Sequence, residues 1–221
     1  MADQTTQPPT ELDRAAEEAG FYHEAALNAS WTGSRIAIGA LSFLYGSAAF
    51  AYFYLRSVNS SNRWKGSGYH APPMGYGVAI IALVLVSAAV QYVALQRIKA
   101  GAKSVWQAGA LVALLAGLAA VVLQILELLN LPFQPGSSGF SSVFTGTSPI
   151  LLVSWLAAMI WLEILIMRVR PLPAISFVEQ PPTYAEAFAV QRFQASLSGF
   201  TVIWNYLAIV TLFFFLLFYV L

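Results

Sequence analysis

Five long apolar stretches dominate this chain and leave it few ways to fold. Each is close to the roughly 20 residues that a helix needs to cross the hydrocarbon core of a bilayer. In lipid every backbone amide must find its hydrogen-bond partner inside the spanning structure, which makes helices the natural form of such stretches. The expected spans cover residues 36–55, 74–95, 105–129, 150–167 and 200–221. The sequence therefore predicts an all-α polytopic membrane protein, with five transmembrane helices in a bundle.

Composition agrees with this class and excludes several kinds of site. Charged residues make up 10% of the chain, against about 25% in soluble proteins. The absence of cysteine excludes disulfides, thiolate metal sites and iron–sulfur clusters. Both histidines, His23 and His70, lie outside the expected spans, so no ligand set for haem or copper is available within the membrane. We expect this chain to bind no metal, and a net charge of +1 gives no reason to expect a nucleic-acid partner.

The chain divides into a polar N-terminal segment, residues 1–33, and the five-helix domain, residues 34–221. Thr10 with Asp13 three positions later resembles a capping box and predicts a short surface helix over 10–26. This helix has two interpretations: a cytoplasmic contact with a partner subunit, or a solvated leader at the membrane surface. The remaining polar segments are expected to be loops, at residues 56–73, 97–103, 132–146 and 168–192.

Basic residues predict the orientation, because Lys and Arg accumulate in loops that stay on the cytoplasmic side. Five spans place the two ends of the chain on opposite faces of the membrane. With the N-terminus inside, the inner segments carry eight basic residues and the outer segments three. The inner ones are Arg14, Arg35, Arg97, Lys99, Lys103, Arg168, Arg170 and Arg192. The sequence thus predicts a cytoplasmic N-terminus and an external C-terminus.

Two acidic residues lie inside the expected spans, and each has a structural and a functional interpretation. Glu127 follows Gln124 by three positions and shares its helix face, near the outer end of the third span. It either makes a structural or lipid contact or carries a proton or ligand. Glu163 lies about one turn from the inner end of the fourth span. It either pairs with Arg168 or Arg170 as a snorkelling side chain, or collects protons at the inner surface.

Small and polar residues in the spans predict how the helices pack. Gly109, Ala113 and Gly117 recur at intervals of four, which lines one helix face with small side chains and lets another helix approach closely. Asn205, which follows Trp204 in the fifth span, is expected to form a hydrogen bond between helices.

Four strings, in order along the chain, resemble subunit III of the haem–copper cytochrome c and quinol oxidases. The likeness covers most of the chain after residue 34 and fits the five-helix form that some bacterial members have. The strings are Tyr52, Tyr54, Leu55, Arg56 and Ser57 in the first span, Gln124 to Glu127 in the third, Phe144, Thr145 and Gly146 before the fourth, and Trp204, Asn205 and Tyr206 in the last.

Several polar positions differ from the family pattern. A His-x-x-His pair usually follows the Thr-Gly of the family, and this chain has Ser148 and Leu151 there. The final helix has Asn205 and Ala208 where the family has His and Asp. The acidic residue usual in the first retained helix is also missing, with Ala40 and Leu41 near its position.

The resemblance implies a non-catalytic, metal-free accessory subunit in a bacterial plasma membrane. Its partners would be the catalytic subunit I, which with other subunits carries haem and copper, and structural phospholipid. Glu163 would support proton uptake, while Glu127, Gln124, Trp204 and Asn205 would make structural or lipid contacts. Two alternatives remain open: an accessory subunit of another respiratory complex such as a nitric oxide reductase, or a small proton-coupled transporter that uses Glu127 or Glu163.

Overall fold

The structure is a computed structural model that describes residues 11–59, 64–66, 70–172 and 184–221. Its long elements are five helices, all of them long and apolar enough to cross a membrane, and no strand occurs within these ranges. The predicted all-α, multi-pass class with five spans is confirmed, whereas the orientation stays a prediction. The helices are α1 (Glu11–Ser57), α2 (Met74–Lys99), α3 (Lys103–Leu129), α4 (Gly139–Val169) and α5 (Tyr184–Phe215), which continues into a π-helical turn (Leu216–Val220).

Helix α5 is the centre of the bundle. It contacts α1, α2 and α4, and 56% of the residues in its apolar window are buried, against 11% for α1. Aromatic side chains fill the space around it: the buried Trp204 ring lies edge-on to Trp155 of α4 and tilted against Phe200. Helices α2 and α3 form a closely packed hairpin, and α3 also packs on α4. Helix α1 packs on α5 and α4 and leaves much of its surface uncovered.

The turn between α2 and α3 is shorter than the expected loop 97–103, because α2 continues to Lys99 and α3 begins at Lys103. Gly101 adopts a φ of 85°, a left-handed conformation that glycine tolerates without steric cost. Its amide donates to the carbonyl of Ile98, and the amide of Ala102 donates to the carbonyl of Arg97. This pair of bonds is a Schellman motif, which caps α2 and reverses the chain within a few residues.

Helix α4 begins earlier than the sequence predicts. The segment 132–146 was expected to be a loop, yet residues from Gly139 onward are helical and the helix passes through Pro149. Ser138 and Ser141 explain the early start, because each side chain bonds the backbone amide of the other residue in a capping box. Transmembrane helices tolerate such a proline, since neighbouring groups re-satisfy the freed carbonyl.

Two further helix bounds correct the sequence-based prediction. Helix α5 begins at Tyr184, so the second half of the expected loop 168–192 includes a helical segment. The predicted surface helix and the first span are one uninterrupted helix, α1, and Thr10 lies outside the described residues. The two extensions support one another, because the rings of His23 and Phe188 lie 4.4 Å apart. Hydropathy marks the lipid-embedded part of a helix and not its ends.

Helices α1 and α5 approach closely at Gly199. A Cβ atom at this position would lie 2.7 Å from the carbonyl oxygen of Ser30, which is closer than side chains come to backbone. Ser34, whose hydroxyl donates to that same carbonyl at 2.6 Å, is buried at this contact. Glycine at position 199 is therefore what allows the two backbones to meet.

We predict that Gly199→Ala lowers the stability of the purified protein by about 1–3 kcal/mol, the usual effect of overpacking. Gly33→Ala is the matched control: position 33 is also helical but has open space around it, so only the gain in helix propensity remains. Thermal unfolding in detergent measures both variants. Equal stability of the two would contradict the close contact.

Candidate functional site

A buried carboxyl group marks the end of the bundle where α3 and α5 finish. Glu127 lies in the last turn of α3 and is only 3% exposed. Its Oε1 atom accepts a hydrogen bond from the Tyr219 hydroxyl in the π-helical turn. Burying a carboxyl group among apolar side chains is costly unless it is hydrogen-bonded, and Tyr219 supplies that partner. The bond also ties the C-terminal end of the chain to α3.

Phe215 of the same helix and residues of two other helices, α4 and α2, hold the Tyr219 ring in place. It stacks on Phe215 at 5.3 Å and meets Phe144 of α4 edge-on at 6.2 Å. On the α2 side it lies over Gly77, where a Cβ atom would come within 2.6 Å of the ring. Any side chain at position 77 would therefore occupy the space of the phenol. Because position 77 is glycine, α2 leaves room for the Tyr219 ring beside it, and the hydroxyl can reach Glu127.

A small cavity adjoins this hydrogen bond between α2, α3, α4 and α5. Its polar lining comes from Gln124, Glu127, Ser148, Thr211 and Tyr219. About 40 Å³ is open to the centres of water molecules, and roughly 10–15 Å³ of such space is enough for one water. The cavity can therefore hold a few waters beside the carboxyl group.

Gln124 fixes one wall of the cavity. Its side-chain amide is buried and donates from Nε2 to the carbonyl oxygen of Ser148 at 3.0 Å, which joins α3 to α4. The chemistry that this set of groups can perform is hydrogen bonding and proton exchange between a carboxyl group, a phenol and water. Within the described ranges no three His, Cys, Asp or Glu side chains come together as a group that could hold a metal ion.

Glu163 lies far from this site. It is 24 residues after the start of α4, about 36 Å of helix rise, whereas Glu127 lies at the end of α3 from which the chain turns into α4. Its side chain is exposed on the surface of the bundle. No ion pair with Arg168, Arg170 or any other described residue is present, so the predicted pairing is not seen. The structure thus brings Glu127 and Gln124 together and keeps Glu163 apart.

The two polar candidates in α5 differ in their surroundings. Trp204 is fully buried and serves packing, and its indole N–H has no hydrogen-bond partner among the described residues. Asn205 is half-buried, and its side chain makes no hydrogen bond within the described part of the chain. The predicted interhelical bond is formed instead by its neighbour Tyr206, whose hydroxyl oxygen accepts from Ser42 of α1 at 3.0 Å.

The small residues of α3 all lie at helix contacts. A Cβ atom at Gly109 would be 2.7 Å from the Cβ of Ala94, so α2 approaches closely there. The carbonyl oxygen of Ala113 accepts from the Ser87 hydroxyl of α2 at 2.7 Å. Gly117 faces side chains of α4 and α5. The stripe therefore serves two different interfaces.

Sequence reasoning missed three residues of interest. Tyr219 stands near the end of an aromatic and aliphatic run, where its hydroxyl could have been singled out as a group in need of a partner. No local pattern marks Gly77. Gln91 is a fully buried amide in α2 that forms no hydrogen bond with the described residues, and an amide inside a span is itself a recognisable signal.

Removing the Tyr219 hydroxyl tests the site. We predict that Tyr219→Phe destabilises the protein by about 1–2 kcal/mol, because the Glu127 carboxyl group stays buried without its partner. In the Glu127→Gln background the same change should cost less, and a double-mutant cycle of unfolding in detergent measures the difference. Tyr92→Phe is the control, since that tyrosine is exposed on α2. Additive effects of the two substitutions would contradict a direct bond.

Comparison with known proteins returns no match, either to a protein-family model or to a curated protein. The resemblance to oxidase subunit III therefore rests on the order and spacing of the four strings described above.

Proposed function

We propose that this chain is a metal-free, non-catalytic accessory subunit of a respiratory haem–copper oxidase, similar to subunit III. It packs through α1 against the catalytic subunit I, which with the other subunits of the complex holds the haem and copper. The observation that carries the proposal is the outward face of α1 within the membrane.

This outward face alternates large and small side chains. Its members are exposed and recur at helical spacing: Ile36, Gly39, Ala40, Phe43, Gly46, Ser47 and Phe50. At Gly39 and Gly46 an added Cβ would meet no described residue within 4 Å beyond the adjoining backbone of α1. Lipid provides no hydrophobic force between helices, so transmembrane contacts depend on close packing at small residues. The small residues leave notches between the bulky side chains, and a partner helix can pack closely into these notches.

The strings that resemble the family also support the proposal, because several of them meet in one cluster. Tyr52 of α1 and Phe144 of α4 both pack on Phe218, at 6.0 and 5.0 Å between ring centroids. Gln124 and Glu127 line the cavity beside the same ring. Residues from three of the four family-like strings therefore lie in one packing cluster.

A groove between α2 and α3 supports the lipid-holding part of the role. About 440 Å³ is open along Val90, Val93, Ala94 and Val105, where the close contact at Gly109 lets the helices meet. Arg97 lines the same groove and offers a positive charge for a phosphate group. An acyl chain fits the apolar part, and a headgroup fits the basic end.

The basic residues support a cytoplasmic N-terminus, and the resemblance to the five-helix bacterial members supports a bacterial plasma membrane. Arg97 and Lys99 end α2, Lys103 begins α3 and Arg168 lies in the last turn of α4. These positions lie at the end of the bundle beyond which the N-terminal part of α1, residues 11–34, extends.

In the transporter alternative Glu127 and Glu163 would have to act separately, since they lie at opposite ends of the bundle.

Purification through a tag on this chain tests the proposal. In mild detergent we expect larger subunits with a haem absorption spectrum, and the type of haem separates an oxidase from a nitric oxide reductase. Gly46→Leu should reduce recovery of haem several-fold by filling the gap between bulky side chains on the outward face, while Gly75→Leu, on an open position of α2, should not. A haem-free single component would refute the subunit assignment.

The proposed part of Glu163 in proton uptake has its own test. We expect Glu163→Gln to slow proton uptake by the purified complex, or to shorten its catalytic lifetime, because an exposed carboxylate near the inner surface is lost. Glu163→Asp retains the charge and should keep most of the proton uptake and catalytic lifetime. Unchanged uptake and lifetime in Glu163→Gln would show that the carboxylate has no part in proton uptake and only lies at the lipid boundary.

A further inference from the structure

The N-terminal part of α1 is longer than a membrane crossing requires. The helix has 47 residues, about 70 Å of rise. The 20 residues between Arg35 and Arg56 carry no charge and already match the roughly 30 Å of a hydrocarbon core. The part of α1 before Arg35 therefore extends beyond the membrane core.

An exposed aromatic ring stands at the centre of this extension. Phe21 is 70% exposed and lies 15 residues before Ile36, about 22 Å along the helix axis. Glu17, Glu18 and Glu24, all exposed, lie four and three positions before it and three after it. Residues at these spacings share one face of a helix, so three carboxylates surround the ring.

The opposite face of the extension is already occupied. The His23 ring packs on Phe188 of α5, and Gly199 of α5 meets the backbone of Ser30. Helix α5 thus supports the extension from behind and leaves the face of Phe21 outward. The neighbouring Tyr22 ring, 69% exposed, lies edge-on to Phe21 at 5.8 Å and widens the aromatic surface.

We propose that this face, Phe21 with Glu17, Glu18 and Glu24, is a docking site for a protein that offers an apolar pocket rimmed by Lys and Arg. From Glu11 to Ser34 the sequence has five acidic residues and one arginine, which is a net charge of −4. An aromatic anchor inside a charged rim is a common centre of protein interfaces. This surface is distinct from the membrane-embedded face of α1 and does not depend on which complex the chain joins.

Charge disfavours the other occupants of this face. A membrane surface is anionic and attracts basic segments, so it repels a ring bordered by three carboxylates. A second copy of the same face would bring like charges together. A protein surface with an apolar pocket for the ring and basic residues for the carboxylates complements this face.

Photo-crosslinking of the full-length chain in its native membrane tests the proposal. A benzophenone amino acid at position 21 should form an adduct whose mapped partner peptide is rich in Lys and Arg. Replacing Glu17, Glu18 and Glu24 together with Lys should reduce the adduct several-fold, and replacing them with Gln should have a smaller effect. Reversing the charge of the mapped basic residues in the partner should restore the adduct of the Lys variant.

Three outcomes would overturn the proposal. They are an adduct whose yield is insensitive to the charge substitutions, an adduct to lipid or to a second copy of the chain, and the absence of any adduct. Helical content and thermal stability of each variant show that α1 remains folded, which is expected because all four side chains are exposed. The crosslinking result does not depend on whether the tagged complex contains haem. This proposal and the proposed subunit role can therefore fail independently.

Discussion

Inside a bilayer the hydrophobic effect does not press helices together, so this bundle depends on close packing and on hydrogen bonds that converge on α5. Within the described ranges, four interhelical side-chain bonds connect α5 and its π-helical turn to α1, α4 and α3. They join Tyr206 to Ser42, Trp155 to Thr211, Trp161 to Ser196, and Tyr219 to Glu127. Helix α1 is held from one side, by α5 and α4, and this explains why its other side is free for a partner.

The π-helical turn at the end of α5 gives the Glu127 site its position. The amide of Leu221 donates to the carbonyl of Leu216, which adds one residue to the last turn. Side chains beyond such a turn are rotated relative to the preceding face of the helix, and π-helical turns occur frequently at functional sites. Here the turn carries Tyr219, whose ring lies between α2 and α4 while its hydroxyl reaches α3.

The sequence predicts what lies in lipid better than where helices begin. Length and hydropathy identify all five spans. The start of α4 was missed because its capping box uses Ser141 in place of Glu or Gln. Glu127 and Gln124 stand out as polar groups in an apolar run, but their partners depend on tertiary structure. Tyr219 is 92 residues from Glu127, and no periodicity connects the two.

The two outward surfaces of α1 belong to one uninterrupted helix, and this constrains what can bind them. Phe21 and Phe43 are 22 residues apart, so at 100° per residue they differ by about 40° around the axis. The acidic aromatic face outside the membrane and the notched apolar face within it therefore look toward the same side. One partner assembly can contact both, with a basic extramembrane surface on Phe21 and a transmembrane helix on Phe43. Because α5 supports α1 from behind along both regions, binding at either surface orients the other.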